Sequence, residues 1–474
     1  MEYLLNAEFK RKFSLSMYKN LKLKLGEMSF YKDFVTDKRG DLYPVLLKSD
    51  DCLEYVECNR YGVGRGSVCR LIGQFFPYAT YELSASVKEG EAGFRFILPG
   101  KYAEIAVSAD HVRYLCGEHK EDLPLPSLAT EEFTLIVSCR PGAFDVYFKQ
   151  NGKAEFFSTF DEEALKDSNA YAEFSESRAA LLLSGAAEVS EVSFYIDNGV
   201  SIADMRPIRY ENGDIMLENG KIHITASIRM QSGAFQGIFS WIPGTAEFEL
   251  TGALFYDCGD GKWCGDVAAS LLWHREGKLW YLWVCAFSHG HILAHATFDS
   301  DVRYGVNVID VKLMKKADTD ARIDSFFTFA GDEDPDFFYD KANSRWLMAI
   351  CRRDPAINNY RYFFFESKQP FEGYECIGKG YDGAETGGSF VKVNGEQYFL
   401  CGNDFHATSD YRIYGKHGMS KPSFDYPDGG FRGWGTLMPI KLGSRTRYFW
   451  LTFDRHKGSG YNWSYGNLYC FEAK

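Results

Sequence analysis

Four acidic residues open successive segments of one repeating pattern in the second half of the chain. In each repeat the acidic residue precedes an apolar strand, a turn with Gly or Asn follows, and an aromatic-rich apolar strand comes next. The acidic openers are Asp214, Asp266, Asp334 and Glu385. Like charges gathered in one pocket raise one another's pKa, so folding stability alone would not favour such a cluster. Cleavage of a glycosidic bond, by contrast, requires a protonated carboxyl group opposite an ionised one.

The spacing of the repeats predicts the fold that would bring these openers together. The four acidic openers and a fifth, non-acidic one stand at positions 214, 266, 334, 385 and 435, so the steps are 52, 68, 51 and 50 residues. This is the period of a four-stranded propeller blade, whose inner strand starts beside a central channel. The sequence therefore predicts five blades with the openers converging on one face. The apolar segment 467–472 is expected to complete a blade begun near Arg206 and so to close the ring.

The first 204 residues have a different texture, and the whole sequence predicts an all-β chain of two domains. Segments such as 94–98 and 133–138 alternate between apolar and polar side chains, with turn signals between them. This rhythm is typical of a β-sandwich, so a jelly-roll sandwich is predicted for residues 1–204 and the propeller for residues 205–474. The aromatic content of 16%, with 45 Gly and 14 Pro, also favours many short strands joined by tight turns.

The five units resemble the five-bladed propeller glycosidases, the group that contains families 32, 43, 62, 68 and 130. Asp334-Pro335-Asp336 and Glu385-Thr386-Gly387 carry the resemblance. It implies that Asp214 is the general base, that Asp334 tunes the acid and that Glu385 is the general acid. The sequence departs from the family 43 pattern, because no Pro follows Asp214 and Gly388 replaces a Pro. Asp266 is therefore an alternative base. The first domain is similar in rhythm to laminin-G and concanavalin sandwiches.

Further polar and aromatic residues lie in segments that would line a sugar pocket. Arginine can clamp a carboxylate or phosphate through two hydrogen bonds, and tryptophan can stack on a sugar face. The candidate substrate-binding residues are His289, Arg352, Asp404, His406, Trp434 and Trp463. His289 and His291 could bind a metal, but no third ligand is apparent beside them. The sequence therefore predicts neither a metal site nor a cofactor.

Composition and charge exclude several other classes of function. The net charge is −12 and the pI about 5.4, and no basic stripe is present that would bind a nucleic acid or an anionic membrane. No run approaches the roughly 20 apolar residues that cross a bilayer. The first residues lack the pattern of a signal peptide, and the twelve cysteines are scattered singly. A cytoplasmic protein with buried thiols is the expectation.

These observations together predict a glycosidase whose partner is an oligosaccharide. The resemblance implies exo-action on short oligosaccharides, with arabinofuranosides or fructofuranosides as the expected substrates. Two alternatives remain open. One is a phosphate-dependent phosphorylase of the family 130 type, with Arg352 in the anion site. The other is a non-catalytic glycan-binding protein that displays aromatic platforms.

Overall fold

The chain divides into two compact units. The computed structural model describes residues 7–25, 46–47, 61–62, 67–126, 132–316, 328–381, 383–403, 411–416, 418–424, 431–454 and 467–473. The propeller unit consists of Met1–Lys22, Asn198–Gly259 and Cys264–Lys474, and the N-terminal unit of Leu23–Asp197 and Asp260–Trp263. This division differs from the predicted one after residue 204, because the first strand of the chain and residues 201–207 pair with strands of the propeller unit.

Strands dominate the first 197 residues. They are β1 (Glu8–Ser16), β2 (Lys22–Lys24), β3 (Leu46–Leu47), β4 (Tyr61–Gly62), β5 (Ser67–Gln74), β6 (Thr80–Leu98), β7 (Lys101–Val107), β8 (His111–Cys116), β9 (His119–Pro124), β10 (Glu132–Arg140), β11 (Ala143–Gln150), β12 (Lys153–Asp161) and β13 (Arg178–Asp197). Helical structure is limited to α1 (Tyr171–Phe174) and short 3-10 turns at Glu163–Leu165 and Phe287–His289. Among the described helices none is long and apolar enough to cross a membrane.

The N-terminal unit is one continuous sheet that folds back on itself. Thr80 of β6 pairs with Ser138 of β10, and β10 pairs in turn with β11, which carries Phe144. Phe96 lies 16 residues after Thr80 on β6, which is roughly 50 Å of straight strand. The rings of Phe96 and Phe144 nevertheless stack with their centroids 4.9 Å apart. Two facing layers therefore arise from one sheet, where the sequence predicted a sandwich of two sheets.

A pair of glycines lies where the two longest strands change direction. Gly90 of β6 is opposite Gly185 of β13, and both have positive φ angles, of 86° and 63°. A Cβ atom added at Gly90 would lie 2.1 Å from the carbonyl oxygen of Ser184. The two backbones therefore approach too closely for any side chain, which is a role that only glycine can fill.

We expect Gly90→Ala to destabilise the protein by about 1–3 kcal/mol more than Gly100→Ala does. Both glycines have positive φ, so alanine meets the same backbone strain at either site. A Cβ at Gly100, however, has no atom within 4 Å, whereas one at Gly90 collides with backbone. Urea unfolding of the two variants measures the difference. Equal losses would contradict the close approach at Gly90.

The remaining strands follow in chain order. They are β14 (Ser201–Pro207), β15 (Arg209–Tyr210), β16 (Leu217–Glu218), β17 (Lys221–Arg229), β18 (Ala234–Trp241), β19 (Phe248–Asp257), β20 (Val267–His274), β21 (Leu279–Ala286), β22 (Ile292–Phe298), β23 (Gly305–Asp310), β24 (Lys312–Leu313), β25 (Glu333–Asp340), β26 (Arg345–Asp354), β27 (Asn359–Ser367), β28 (Glu375–Lys379), β29 (Glu385–Val393), β30 (Glu396–Asn403), β31 (Tyr411–Gly415), β32 (Gly418–Ser420), β33 (Ser423–Phe424), β34 (Phe431–Leu442), β35 (Arg445–Asp454) and β36 (Asn467–Ala473).

These strands form a five-bladed β-propeller, so the chain is all-β as predicted. Blade 1 has the order β14-β17-β18-β19, and blade 2 the order β20-β21-β22-β24. Blades 3 and 4 are the meanders β25 to β28 and β29 to β32, and blade 5 has the order β34-β35-β36-β1. The inner strands are thus β14, β20, β25, β29 and β34. Three of the predicted openers stand at or within one residue of an inner strand's start, but Asp214 does not.

The ring is closed by a strand from the other end of the chain. β36 pairs with β35 on one side and with β1 on the other, where Phe9 lies opposite Ala473. The predicted closure near Arg206 is wrong, because Arg206 lies on β14 and that strand already pairs with β17 in blade 1. Phe9 is fully buried against Trp450 and Phe471, so burial of aromatic surface fixes β1 in its place.

Aromatic side chains fill the spaces between neighbouring blades and explain the unusual composition. Trp283 of blade 2 packs with Phe337 and Trp346 of blade 3, and Phe338 of blade 3 packs with Phe390 of blade 4. Both faces of each inner strand are covered in this way, which is why these strands are nearly continuous in apolar residues. A polar side chain on an inner strand is therefore exceptional, and each one calls for a physical explanation.

Candidate active site

Every inner strand carries a β-bulge at the same place, close to its start. The pairing slips between Ala203 and Arg206, Val267 and Ser270, Glu333 and Asp336, Thr386 and Ser389, and Arg432 and Thr436. In four blades the bulge holds a residue with positive φ, namely Asp204, Ala268, Asp334 and Gly387. A non-glycine residue in this conformation costs about 1–3 kcal/mol, and bulges redirect side chains next to active sites. We call this end of the ring the bulge end.

The two acidic bulge residues, Asp204 in blade 1 and Asp334 in blade 3, are buried and interact electrostatically. The Ser227 hydroxyl donates to Oδ2 of Asp204 at 2.6 Å, and Arg229 Nη2 lies 3.6 Å from the same oxygen. The Thr386 hydroxyl and the Gly387 amide donate to Oδ2 of Asp334, at 2.9 and 2.8 Å. The side chains of Asp204 and Asp334 belong to residues that are only 8% and 5% exposed.

Burial and mutual repulsion act in the same direction on this pair. Loss of water raises the pKa of both carboxyl groups, and the charge of Asp334 raises the pKa of Asp204 further. The Arg206 guanidinium opposes the shift at Asp334, whereas the neighbouring Glu333 carboxylate adds to it. A raised pKa is what a carboxyl group needs in order to hold a proton for transfer near neutral pH.

Asp204→Asn is expected to raise the melting temperature at pH 7. The pKa of Asp204 is higher in the folded protein than its ordinary value of 3.8, so folding stability is lost as the pH rises through the folded-state pKa. Asparagine removes the buried charge, and its oxygen can still accept the Ser227 hydrogen bond. Scanning calorimetry should show a gain that shrinks towards zero below pH 3.8, where the aspartate is neutral in both states. A gain that is independent of pH would contradict the raised pKa.

Beneath the two carboxylates, buried arginines tie the inner strands together. Arg206 donates to the carbonyl oxygens of Ala268 at 2.9 Å and Gly388 at 3.2 Å, and so links blades 1, 2 and 4. Arg209 forms a buried ion pair with Asp336, whose other oxygen accepts the Phe390 amide at 2.6 Å. These bonds hold Asp204 and Asp334 on a rigid support, which is what a preorganised site requires.

Glu385, the predicted general acid, is held by donors on both of its oxygens. Its Oε2 accepts the Tyr362 amide at 3.1 Å, and its Oε1 accepts the Tyr381 amide at 3.2 Å, the Tyr414 hydroxyl and Arg412 Nη1. The residue has no exposed surface. This arrangement suits an ionised carboxylate that joins blades 3 and 4, and it leaves Glu385 no access to a substrate in this conformation.

Asp214 does not join the acidic pair. It follows β15 in a turn, its side chain is 52% exposed, and its Oδ1 lies 3.3 Å from Lys392 Nζ. Lys392 is near the end of β29, seven residues or about 23 Å from Glu385 at the start of that strand. Asp214 therefore lies at the opposite end of the ring from the bulges. The reason is that its turn precedes the second strand of blade 1, not the inner strand.

The other predicted site residues are distributed as follows. Asp266 is buried two residues before the bulge residue of blade 2 and accepts hydrogen bonds from the amide and hydroxyl of Ser288. His289 is next to this pair. Arg352 is buried in a two-bonded ion pair with Asp332, with both N–O distances at 2.8 Å. Asp404, His406 and Trp463 lie outside the described residues, and Trp434 lies in β34 with its side chain outside them.

Sequence reasoning missed Asp204, Glu333 and the basic residues around them. Glu333 is partly exposed beside Asp334, and His291 Nε2 lies 3.0 Å from its Oε1. One signal was available for Asp204. In Asp204-Met205-Arg206 an acidic residue stands two positions before a second charged residue, as in Asp334-Pro335-Asp336. In an otherwise apolar inner strand, this spacing places one charge on the bulge and the other in the support beneath it.

Comparison with known proteins finds likeness in solved structures only, since no family profile and no curated protein matches the chain. An α-L-arabinofuranosidase from Podospora anserina in complex with cellotriose is 15% identical, with a TM-score of 0.38, covering 58% of this chain and 91% of its own. A thermostable family-43 glycoside hydrolase is 12% identical, with a TM-score of 0.31, covering 63% and 92%. Bacillus subtilis levansucrase is 10% identical, with a TM-score of 0.40, covering 58% and 86%. At such low identity the likeness concerns the fold.

Proposed function

We propose that this protein cleaves or transfers glycosidic bonds at the bulge end of the propeller, with Asp204 and Asp334 as its paired carboxyl groups. One observation carries the proposal. Two blades place an aspartate on the equivalent strained bulge, where both are buried and each raises the energy of the other's charge. A protein that needed only a stable ring would place glycine or alanine there, as blades 2 and 4 do. A reaction that needs one protonated and one ionised carboxyl group accounts for the arrangement.

The hydrogen bonds assign different roles to the two groups. Asp334 accepts from a backbone amide and a hydroxyl, and Arg206 is the nearest strong influence that favours its charge. Asp204 accepts one hydroxyl bond from Ser227. Donors stabilise an ionised carboxylate, so Asp334 is the ionised member and acts as base or nucleophile, while Asp204 holds the proton and acts as the acid. The sequence resemblance had given Asp334 a tuning role and the acid role to Glu385.

Exposed aromatic rings at the bulge end support a sugar as the ligand. Phe287 directly follows β21 and is 41% exposed, and Tyr381 stands four residues before Glu385 and is 64% exposed. The Tyr381 ring stacks on that of Tyr414, with centroids 6.1 Å apart, so its orientation is supported. Such faces pack against the apolar face of a sugar ring. Exo-action and a furanoside substrate remain predictions of the resemblance.

The phosphorylase alternative loses the cation on which it was based. Arg352 is spent on Asp332, so the anion site predicted around it would have to break a buried ion pair. The glycan-binding alternative does not explain why two carboxylates should be kept buried and repelling each other. Hydrolysis, or transfer to another sugar, is therefore the function that the geometry favours.

A panel of nitrophenyl furanosides and pyranosides tests the proposal, with and without inorganic phosphate. We expect release of nitrophenol by the wild-type protein without phosphate, and its loss in Asp334→Asn. Turnover only with phosphate would replace hydrolysis by phosphorolysis. A Glu385→Gln variant that keeps the wild-type melting temperature and loses activity would return a catalytic role to Glu385. Binding of a sugar without cleavage, unchanged in Asp334→Asn, would favour the glycan-binding protein.

A further inference from the structure

We propose that Cys258, Asp266 and His289 form a binding site for a transition-metal dication, and that zinc is the ion their donors fit best. One ligand atom from each residue lies within 4.8 Å of the other two. In a tetrahedral zinc site the ligand atoms are about 3.5 Å apart, so the three side chains need to close by only about 1 Å. The inference is independent of the proposed glycoside chemistry, which uses Asp204 and Asp334.

The donor set itself selects the class of metal. A thiolate sulfur, an imidazole nitrogen and a carboxylate oxygen are the three ligand types that zinc takes in proteins. Calcium and magnesium prefer sites built from oxygen alone, so they do not match. Three protein ligands also leave a fourth position open, as in zinc sites that keep a water molecule.

Ser288 organises two of the three ligands through its hydroxyl. Its proton is donated to Oδ2 of Asp266 at 2.7 Å, so towards Nδ1 of His289, 2.8 Å away, the same oxygen can only accept. Nδ1 of His289 must then carry the ring proton, which leaves Nε2 as the nitrogen with a lone pair for a metal. A hydrogen bond that fixes the tautomer of a histidine ligand is a regular feature of zinc sites.

The fold explains why these residues meet and what the ion would supply. Cys258 follows β19 of blade 1, while Asp266 and His289 flank β20 and β21 of blade 2, and the Tyr256–Cys264 bridge joins the two chain segments. Asp266 is 2% exposed, and burial raises the pKa of its carboxyl group. A dication would compensate that buried charge and cross-link the two blades. Cys258 and His289 are half-buried, which leaves an entry path.

The sequence concealed the site because its ligands are separated along the chain. Cys258 and Asp266 stand 31 and 23 residues before His289, and none of the spacings is a familiar metal motif. His291, which the sequence suggested as a partner for His289, lies instead beside Glu333. The expectation of a chain without metal therefore rested on looking for ligands close in sequence.

Titration of the metal-stripped, full-length protein with Co²⁺ tests the proposal, because a thiolate ligand gives cobalt a sulfur-to-metal charge-transfer band. We expect this band to saturate at one equivalent and to disappear when zinc is added. Cys258→Ser should abolish it. Cys376→Ser, which changes another half-buried thiol on blade 3, should leave it intact. A band that survives in Cys258→Ser, or an absence of binding by the wild-type protein, would overturn the proposal.

Two further variants keep the test sound if Cys258→Ser folds poorly. His289→Gln changes a half-buried side chain and should lose the band at metal concentrations that saturate the wild type. Ser288→Ala should weaken zinc binding by about 10–100-fold, since it frees the His289 ring from its tautomer. Zinc affinity equal to the wild type in both would show that the ion binds elsewhere. Turnover of nitrophenyl glycosides by the stripped protein separates this outcome from failure of the proposed enzyme activity.

Discussion

Asp204→Asn should lower the turnover of an oligosaccharide substrate by about 10²–10⁴-fold, while the same change at Asp214 should leave the rate close to that of the wild type. Asp204 holds the proton of a buried carboxyl pair at the bulge end, and asparagine cannot donate it to a leaving oxygen. Asp214 is half-exposed at the other end of the ring, beside Lys392. The two substitutions are chemically identical, so the difference between them reports position alone.

The choice of substrate makes this prediction sharper. Nitrophenolate leaves readily without a proton, so Asp204→Asn should lose much less activity on a nitrophenyl glycoside than on an oligosaccharide. Asp334→Asn removes the base or nucleophile, so it should lose activity on both. Initial rates on the two substrates measure the ratio. Full activity of Asp204→Asn on the oligosaccharide, or inactivity of Asp214→Asn, would refute the assignment. Unfolding cannot mimic the expected loss, because Asp204→Asn is predicted to be the more stable protein.

Arg352→Met should destabilise the propeller by about 3–5 kcal/mol, the largest stability effect that we expect from a single substitution. Arg352 and Asp332 are 1% and 0% exposed, and two parallel hydrogen bonds join them. The guanidinium also lies over the Phe329 ring, 4.5 Å from its centroid. Methionine keeps much of the volume but leaves the Asp332 carboxylate buried without its cation.

Urea unfolding with a matched control measures this effect. Arg353→Met changes the next residue, which is exposed and bonded to Asn358, and it should cost less than about 1 kcal/mol. The double variant Asp332→Asn/Arg352→Met removes both charges and should recover part of the loss. Equal losses in Arg352→Met and Arg353→Met would show that the ion pair is not a support of blade 3. They would also reopen the prediction that Arg352 binds the substrate.

Register explains why one catalytic candidate was found in the sequence and its partner was not. Asp334 begins an apolar run that is the inner strand of blade 3, so repeat, strand and position coincide. In blade 1 the inner strand is short and comes earlier, and the turn around Asp214 imitates an opener before the second strand. Asp266 and Glu385 stand two residues before the bulge residue in their blades, so their side chains are directed to neighbouring donors. A shift of two residues in a bulged strand therefore separates a supporting carboxylate from one that faces the channel.

The sequence by itself determined the all-β class, the number of blades and the place of Asp334, because each depends on a local alternation of apolar residues repeated about every 50 positions. Tertiary structure alone decided which carboxylates meet. Asp204 and Asp334 are 130 residues apart, and Cys258 meets His289 only through the closed neck at Tyr256 and Cys264. It also decided that β1 closes the ring. Pairings of this kind depend on the bulges, ion pairs and ring contacts between blades, and none of these leaves a periodic signal along the chain.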